Sequence, residues 1–371
     1  MKVLHILNEL RFSGMEIMLI NSSSEWKKYN VETTILSTGE RLGEAAEKME
    51  HIGYEIKHIP FSKNKISSFL VFRQYLKHNK FDVIHIHSEG NFFIHVLNSW
   101  LTGNKNIVRS FHSIFKPTSI KGRLRRHTDR KVAKLLKVRY LSVGDSVAQN
   151  ELKNYYTKSK TIFNWYNDRM FFPKTPKFKA ELRRKENIKK ETFVISTVGN
   201  CSCVKRHNLV LETLALLPLH IDWLYLHAGK EEEGFPERKF ANKLGIGDNC
   251  RFLGSISNVD EILAISDLFI MSSIVEGLGN SALEAMAMGI PTILTKVPGL
   301  TDLLKNIDNT IGVESSSLSM KEGVLKIYNL SKQEREELAS RIAIQTKNNF
   351  SLENGVRKYY HFYKSKISEN N

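Results

Sequence analysis

Short apolar β-type runs alternate with longer helical patterns along almost the whole chain. This alternation limits the possible architectures more than any other feature. One series of runs occupies 3–7, 31–37, 56–60, 83–87, 107–111, 140–143 and 161–163. A second occupies 193–198, 223–227, 251–253, 268–271 and 292–295. Amphipathic stretches such as 15–26, 68–78, 209–217 and 259–266 lie between them. Near-continuous apolar strands separated by helices predict parallel sheets covered on both faces. The interval Asn164–Glu191 is polar and basic, holds Pro173 and Pro176, and parts the two series. It reads as a linker leading into a charged helix. The expected fold class is α/β with two doubly wound domains. The stretch Leu330–Ser368 reads as helical and charged, with Tyr359, Tyr360, Phe362 and Tyr363 near its end.

The 371 residues carry 55 Lys+Arg against 39 Asp+Glu, a net charge of +16. That excess predicts attraction to an anionic partner: a phosphorylated ligand, a membrane surface or nucleic acid. A solvated Lys-rich surface explains it equally well. Cys201, Cys203 and Cys250 are the only cysteines, too few for a disulfide framework. Cys201-x-Cys203 has neither the C-x-x-C redox spacing nor enough ligands for zinc, so free thiols are expected. The opening MKVLHILNEL is too briefly apolar for a signal-peptide core. No run approaches the ~18 apolar residues of a membrane span. A soluble or peripheral protein is expected.

The segment Ser272–Pro291 carries the strongest chemical signal. A strand ends at Ser272, a turn containing Gly277 and Gly279 follows, and a helix opens near Asn280. Glycine lets backbone N–H groups come close to a ligand. The helix start adds free donors and partial positive charge suited to phosphate. Glu276 precedes the helix and Glu284 lies about one turn inside it. Carboxylates accept hydrogen bonds from paired sugar hydroxyls. An ordinary helix start with surface acids is the competing reading.

This segment resembles the E-x7-E signature of family 4 retaining glycosyltransferases, which have the GT-B fold. Lys2–Leu7 through Ser13-Gly14-Met15-Glu16 is similar to that family's first strand and glycine loop. Asp82-Val83-Ile84-His85-Ile86-His87 resembles its D-V-[IV]-H-x-H strand. Asn164–Pro173 matches the register of its P-N-G-V-D-x-x-x-F-x-P linker, with Phe163, Trp165 and Asn167 in place of Pro, Gly and Asp. Gly199 through Lys205 falls on the G-R-x-x-x-x-K-G pattern that holds the donor diphosphate. Here Asn200 replaces the arginine and Arg206 the second glycine. Phe111-His112-Ser113 resembles the family's histidine that faces the donor sugar; a core histidine is the alternative. His85 and His87 share one face of their strand. With no further ligand near them in sequence, they read as structural.

The resemblance implies a GT-B fold of two Rossmann-like domains with a cleft between them. Residues 1–168 would form the acceptor-binding domain and 169–348 the nucleotide-sugar-binding domain, with 349–371 a helix crossing back. The implied reaction moves a hexosyl group from a nucleoside-diphosphate sugar, most simply a UDP-sugar, with retention. The implied acceptor is a lipid-linked saccharide in exopolysaccharide, capsule or O-antigen assembly. Glu276, His112 and Lys205 would be catalytic. Gly14, Gly199, Asn200, Lys205, Arg206, Gly277, Leu278, Gly279, Asn280 and Glu284 would bind the donor. No Asp-x-Asp occurs, so no metal and no other cofactor is expected. The alternatives are a non-hydrolysing UDP-sugar epimerase of the same architecture and a non-catalytic basic protein of membranes or RNA.

From Lys116 to Arg139 lie ten basic residues and the single acid Asp129, interleaved with apolar residues. A basic amphipathic helix can rest on an anionic bilayer. Arg123, Arg125, Arg126, Arg130 and Lys131 are the candidate contacts. The competing reading is a solvated outer helix. No nucleic-acid reader motif accompanies the charge, so no nucleic acid is expected. A cytoplasmic protein bound peripherally to the membrane is the expectation.

Overall fold

The computed structural model describes residues 1–61, 65–114 and 119–367. They form two compact units, one of residues 1–165 with the chain from 352 onward, the other of residues 166–351.

In the first unit the order is β1 (Lys2–Leu7), α1 (Gly14–Lys28), β2 (Glu32–Ser37), α2 (Ala46–His51), β3 (Glu55–His58), α3 (Lys65–His78) and β4 (Val83–Ile86). Then come α4 (Phe92–Leu101), β5 (Ile107–Phe111), α5 (Ile120–Leu135), β6 (Arg139–Ser142), α6 (Asp145–Tyr155) and the short β7 (Lys160–Thr161). The strands pair in parallel in the order β3-β2-β1-β4-β5-β6-β7. The order in which strands are added reverses between β1 and β4, a topological switch point.

The second unit continues with α7 (Pro176–Lys185), β8 (Phe193–Val198), α8 (His207–Ala215), β9 (Trp223–Ala228), α9 (Pro236–Lys243), β10 (Cys250–Phe252) and α10 (Val259–Ile265). It closes with β11 (Leu268–Met271), α11 (Asn280–Ala287), β12 (Thr292–Thr295), α12 (Leu300–Asn306), β13 (Ile311–Val313), α13 (Ser317–Tyr328) and α14 (Lys332–Phe350). Its parallel sheet runs β10-β9-β8-β11-β12-β13, with the switch between β8 and β11. Strand β13 is not among the runs read from the sequence; it has only three residues, and Gly312 interrupts its apolar signal.

The C-terminal stretch is two helices. Ser351 adopts an extended conformation after α14, and α15 (Leu352–Ile367) starts anew in the first unit. Its aromatic face explains this. Tyr363 stacks on Trp26 with centroids 6.0 Å apart, and Tyr360 meets Tyr29 at 4.5 Å. Val356, Tyr359 and Tyr363 are buried with Trp26, Val83 and Trp165 in one cluster.

Helix α5 corrects part of the basic-face expectation. Arg130 is buried, its guanidinium 2.6 Å from Glu151 and 3.1 Å from Glu89. Arg126 also reaches Glu89, at 3.5 Å. A buried Arg109 contacts the other Glu89 oxygen at 2.7 Å. Although burial opposes ionisation, these guanidinium groups hold the Glu89 carboxyl down at about 2. Arg130 is therefore an internal ion partner and no surface contact. Arg123, Arg125 and Lys131 are exposed, as are Ile120 and Leu124. Lys116 lies outside the described residues. Among those residues, no helix is long and apolar enough to cross a membrane.

Removing one member of a buried ion network leaves the others uncompensated, at a cost of about 3–5 kcal/mol. Arg130→Ala is expected to lose that much in denaturant unfolding. Arg123→Ala, on the same helix, is expected to stay within about 0.5 kcal/mol of the wild type.

Candidate active site and family membership

The second unit brings together two segments read separately in the sequence. The loop 199–206 follows β8 and the loop 272–279 follows β11, its neighbour in the sheet. Backbone and serine bonds join them. Ser272 Oγ donates to the carbonyls of Lys205 at 2.8 Å and Arg206 at 3.0 Å. The Ile274 N–H donates to Val204 at 2.8 Å. Ser281, in the first turn of α11, donates to the Val198 carbonyl at 2.8 Å.

This stitching places Lys205 Nζ 2.7 Å from Glu276 Oε1. Ser273 Oγ donates to the same oxygen at 2.6 Å, and neither bond uses Oε2. The Lys205 stem runs beside Gly199, where a Cβ would lie 3.4 Å from Cε. Gly279, at φ +93°, precedes α11, so no side chain caps the start of that helix. Leu278 is buried and anchors the turn below it. Gly277 and Asn280 complete the loop that leads into α11.

Glu276 is fixed from behind by a residue the sequence reading passed over. Its N–H donates to Pro298 at 3.0 Å, and a Cβ on Gly299 would fall 2.3 Å from the Glu276 carbonyl oxygen. The dipeptide Pro298-Gly299 is a turn signal in the sequence. That it supports Glu276 is visible only once β11 and β12 are adjacent.

Glu284 lies within α11, and its carboxyl has no hydrogen-bond partner among the described residues. Burial raises it from an ordinary value near 4.5 to about 8. It is a neutral acid near pH 7, able to donate one hydrogen bond and accept others. Asn200 Oδ1 accepts from the Lys230 N–H at 2.9 Å, tying its loop to the one after β9. Arg206 adopts φ +52° before α8 and borders a separate cavity of about 400 Å³ with His207, Glu212, Glu232 and Glu237. Neither Lys205 nor Glu276 lines that cavity.

In the first unit, Gly14 opens α1 at an exposed position. His112 ends a row of imidazoles. His5 Nδ1 lies 2.8 Å from His87 Nε2, and His87 Nδ1 lies 2.9 Å from His112 Nε2. His85 sits beside them, bonded to Tyr363 Oη and Ser110 Oγ at 2.6 Å each. Burial lowers all four, His5 and His112 to about 3, so the row is neutral. His5 gives His85 and His87 a third nitrogen-bearing neighbour absent from the sequence reading. It comes from β1, which pairs with β4 in the sheet.

Comparison with known proteins supplies the family. The profile described as "Glycosyltransferase Family 4" matches residues 12–167, and "Glycosyl transferases group 1" matches residues 178–348. Together they span most of the chain. The chain belongs to the family 4 glycosyltransferases. It is 27% identical over 187 residues to an N-acetyl-alpha-D-glucosaminyl L-malate synthase of Bacillus anthracis, a match covering 48% of each chain. It is 21% identical over 293 residues to the capsular polysaccharide biosynthesis glycosyltransferase CapH of Staphylococcus aureus, covering 76% of this chain and 78% of that one. The chain spans half or less of the length of the first curated relatives it matches. The Anabaena HepE structure in complex with UDP and glucose superposes with a TM-score of 0.83 at 17% identity, covering 98% of this chain and 100% of that one. The fold is therefore GT-B, two Rossmann-like α/β units.

The carboxyl of Glu284 sets a pH dependence. Between about pH 4.5 and 8 the folded chain keeps a proton that the unfolded chain has released. This group's contribution to stability is thus full below about pH 4.5 and is lost as pH rises through about 8. Glu284→Gln carries no such charge. Melting curves are expected to favour the variant over wild type at pH 8.5, with the difference shrinking as pH is lowered toward 4.5.

Proposed function

We propose that this chain transfers a hexosyl group from a UDP-linked sugar, with retention, to a saccharide acceptor in surface polysaccharide assembly. The Lys205–Glu276 ion pair beside the start of α11 is the observation that carries the reading. A cation, an acid and a helix start sit together at a topological switch point, where open α/β sheets bind ligands. A diphosphate arriving there offers Lys205 a doubly charged partner in place of Glu276. That exchange frees Glu276 for the hydroxyls of the transferred sugar. Lys205 then neutralises charge that develops on the departing diphosphate, a contact that strengthens in the transition state. Glu284, uncharged and without an internal partner, suits a pair of ribose hydroxyls. The remaining donor contacts in this unit would be backbone groups at Gly199, Gly277, Leu278, Gly279 and Asn280.

Support comes from the family itself, from UDP and glucose in the HepE structure, and from the capsular relative. With charge met by Lys205 and the helix start, transfer is expected to need no added Mg²⁺ or Mn²⁺. The test is a panel of nucleotide sugars scored first by thermal stabilisation and then by transfer of label to acceptor. Donor binding raises the melting temperature by mass action. Interconversion of the free donor without transfer would instead indicate an epimerase. Glu276→Ala is expected to stay folded and lose turnover. One charged hydrogen bond, about 1.5–3 kcal/mol, corresponds to roughly 10- to 100-fold. Turnover near that of the wild type would remove Glu276 from the site.

The acceptor is proposed to be lipid-linked, with α5 resting on an anionic membrane on the cytoplasmic side. After Arg126 and Arg130 are set aside as ion-pair partners, α5 still exposes Lys121, Arg123, Arg125 and Lys131. Ile120 and Leu124 beside them are 89% and 64% exposed. Each basic residue near an anionic surface contributes on the order of 1 kcal/mol at low salt. In co-sedimentation, wild type is expected to pellet with anionic vesicles at low salt and release at high salt. A variant with Arg123, Arg125 and Lys131 changed to Glu is expected to remain in the supernatant. A wild type that ignores such vesicles would point to a soluble acceptor.

A further inference from the structure

Four side chains outside the proposed donor chemistry converge behind the loop that carries Lys205. Cys201 lies in that loop, His207 is the first residue of α8, His227 sits in β9 and Glu237 in the first turn of α9. All four are more than nine-tenths buried. Ligand atoms of Cys201, His207 and His227 lie within 4.8 Å of one another, and Cys201 Sγ is 3.8 Å from His227 Nε2. The two imidazoles meet at 4.5 Å between centroids. Glu237 faces the thiol closely enough that, after burial, its charge is the next largest influence raising it.

Buried polar atoms are normally paired. Here both nitrogens of His207, Nδ1 of His227 and Oε2 of Glu237 are buried without a partner. A bound ion would take up one His207 nitrogen and Glu237 Oε2, while His227 Nδ1 would remain unpaired. The His5–His85–His87 group is different. Its nitrogens bond to one another, to Ser110 and to Tyr363, so its geometry is already accounted for.

We propose that Cys201, His207 and His227, whose ligand atoms lie within 4.8 Å of one another, hold one zinc-class divalent cation, and that the neighbouring Glu237, outside that spacing, rotates in as the fourth donor. The donor set of one sulfur, two imidazoles and a carboxylate matches tetrahedral zinc. Bond lengths of ~2.3 Å to sulfur and ~2.0 Å to nitrogen put tetrahedral N···N pairs roughly 3.3 Å and S···N pairs roughly 3.5 Å apart. The Cys201 Sγ to His227 Nε2 separation of 3.8 Å is therefore a little wide and closes by a few tenths of an ångström on loading. Charge balances as well. Loading releases the Cys201 proton to solvent, and the resulting thiolate with the Glu237 carboxylate offsets the 2+ charge. His227 coordinates through Nε2, which then gives up its 3.0 Å hydrogen bond to the Gly199 carbonyl. The cavity bordered by His207 and Glu237 is the route of entry.

The ion is structural and separate from the diphosphate chemistry, where no metal is expected. It ties the loop bearing Gly199 and Lys205 to β9 and α9. The sequence hid it because Cys201-x-Cys203 points to the wrong second ligand; Cys203 is exposed.

Cobalt(II) added to the full-length, reduced, chelator-treated protein tests the assignment. A tetrahedral site with one thiolate is expected to give a sulfur-to-cobalt charge-transfer band saturating at one ion per chain. Zinc is expected to displace cobalt and raise the melting temperature. The band is expected to disappear in Cys201→Ser and persist in Cys203→Ser and Cys250→Ser. His207→Gln, which keeps the sulfur, is expected to weaken cobalt binding at least 10-fold. No charge-transfer band in wild type, or a band that survives in Cys201→Ser, would overturn the site.

Discussion

The second unit depends on the parallel contact between β8 and β11. The strands are distant in sequence, yet the sheet makes them neighbours, so the loops at their ends must share one space. Polar groups confined there have to be satisfied. Ser272 satisfies the carbonyls of Lys205 and Arg206, and Ile274 satisfies Val204. Once those bonds form, Lys205 has little choice but to meet Glu276. The ion pair thus follows from strand order.

Charge in this chain divides into two populations that composition cannot separate. Arg109 and Arg130 lie inside, each matched to an acid and each stacked on an aromatic ring, with Phe111 between 5.0 and 5.2 Å from both. They cannot be removed without leaving a charge stranded. Arg123, Arg125 and Lys131 lie outside, exposed to solvent. The basic excess therefore overstates the charge available to a partner.

Much of the fold was legible because burial imposes periodicity. Parallel strands covered on both faces have to be apolar throughout, and twelve such runs stand out. The turns that carry Glu276, Gly279 and Lys205 were legible because turns and helix starts have local signatures. The remainder depends on contacts between distant residues. Arg130 has the same local pattern as Arg123, and only Glu89 and Glu151 distinguish them. The break at Ser351 reflects aromatic packing of α15 on Trp26 and Tyr29, which no local pattern encodes. Gly299 supports Glu276 across two strands. Cys201 finds its neighbours on three separate elements.

The histidine row carries a consequence beyond packing. A neutral imidazole holds one proton on either of two nitrogens. His5, His87 and His112 are joined nitrogen to nitrogen, so each shared hydrogen can belong to only one ring. If His5 donates, His87 must accept on Nε2 and donate from Nδ1, and His112 must then present an N–H at its outer nitrogen. If the order is reversed, that same nitrogen presents a lone pair. The outward chemistry of His112 is therefore written at β1, two residues away along the row, as a single choice of polarity shared by all three rings.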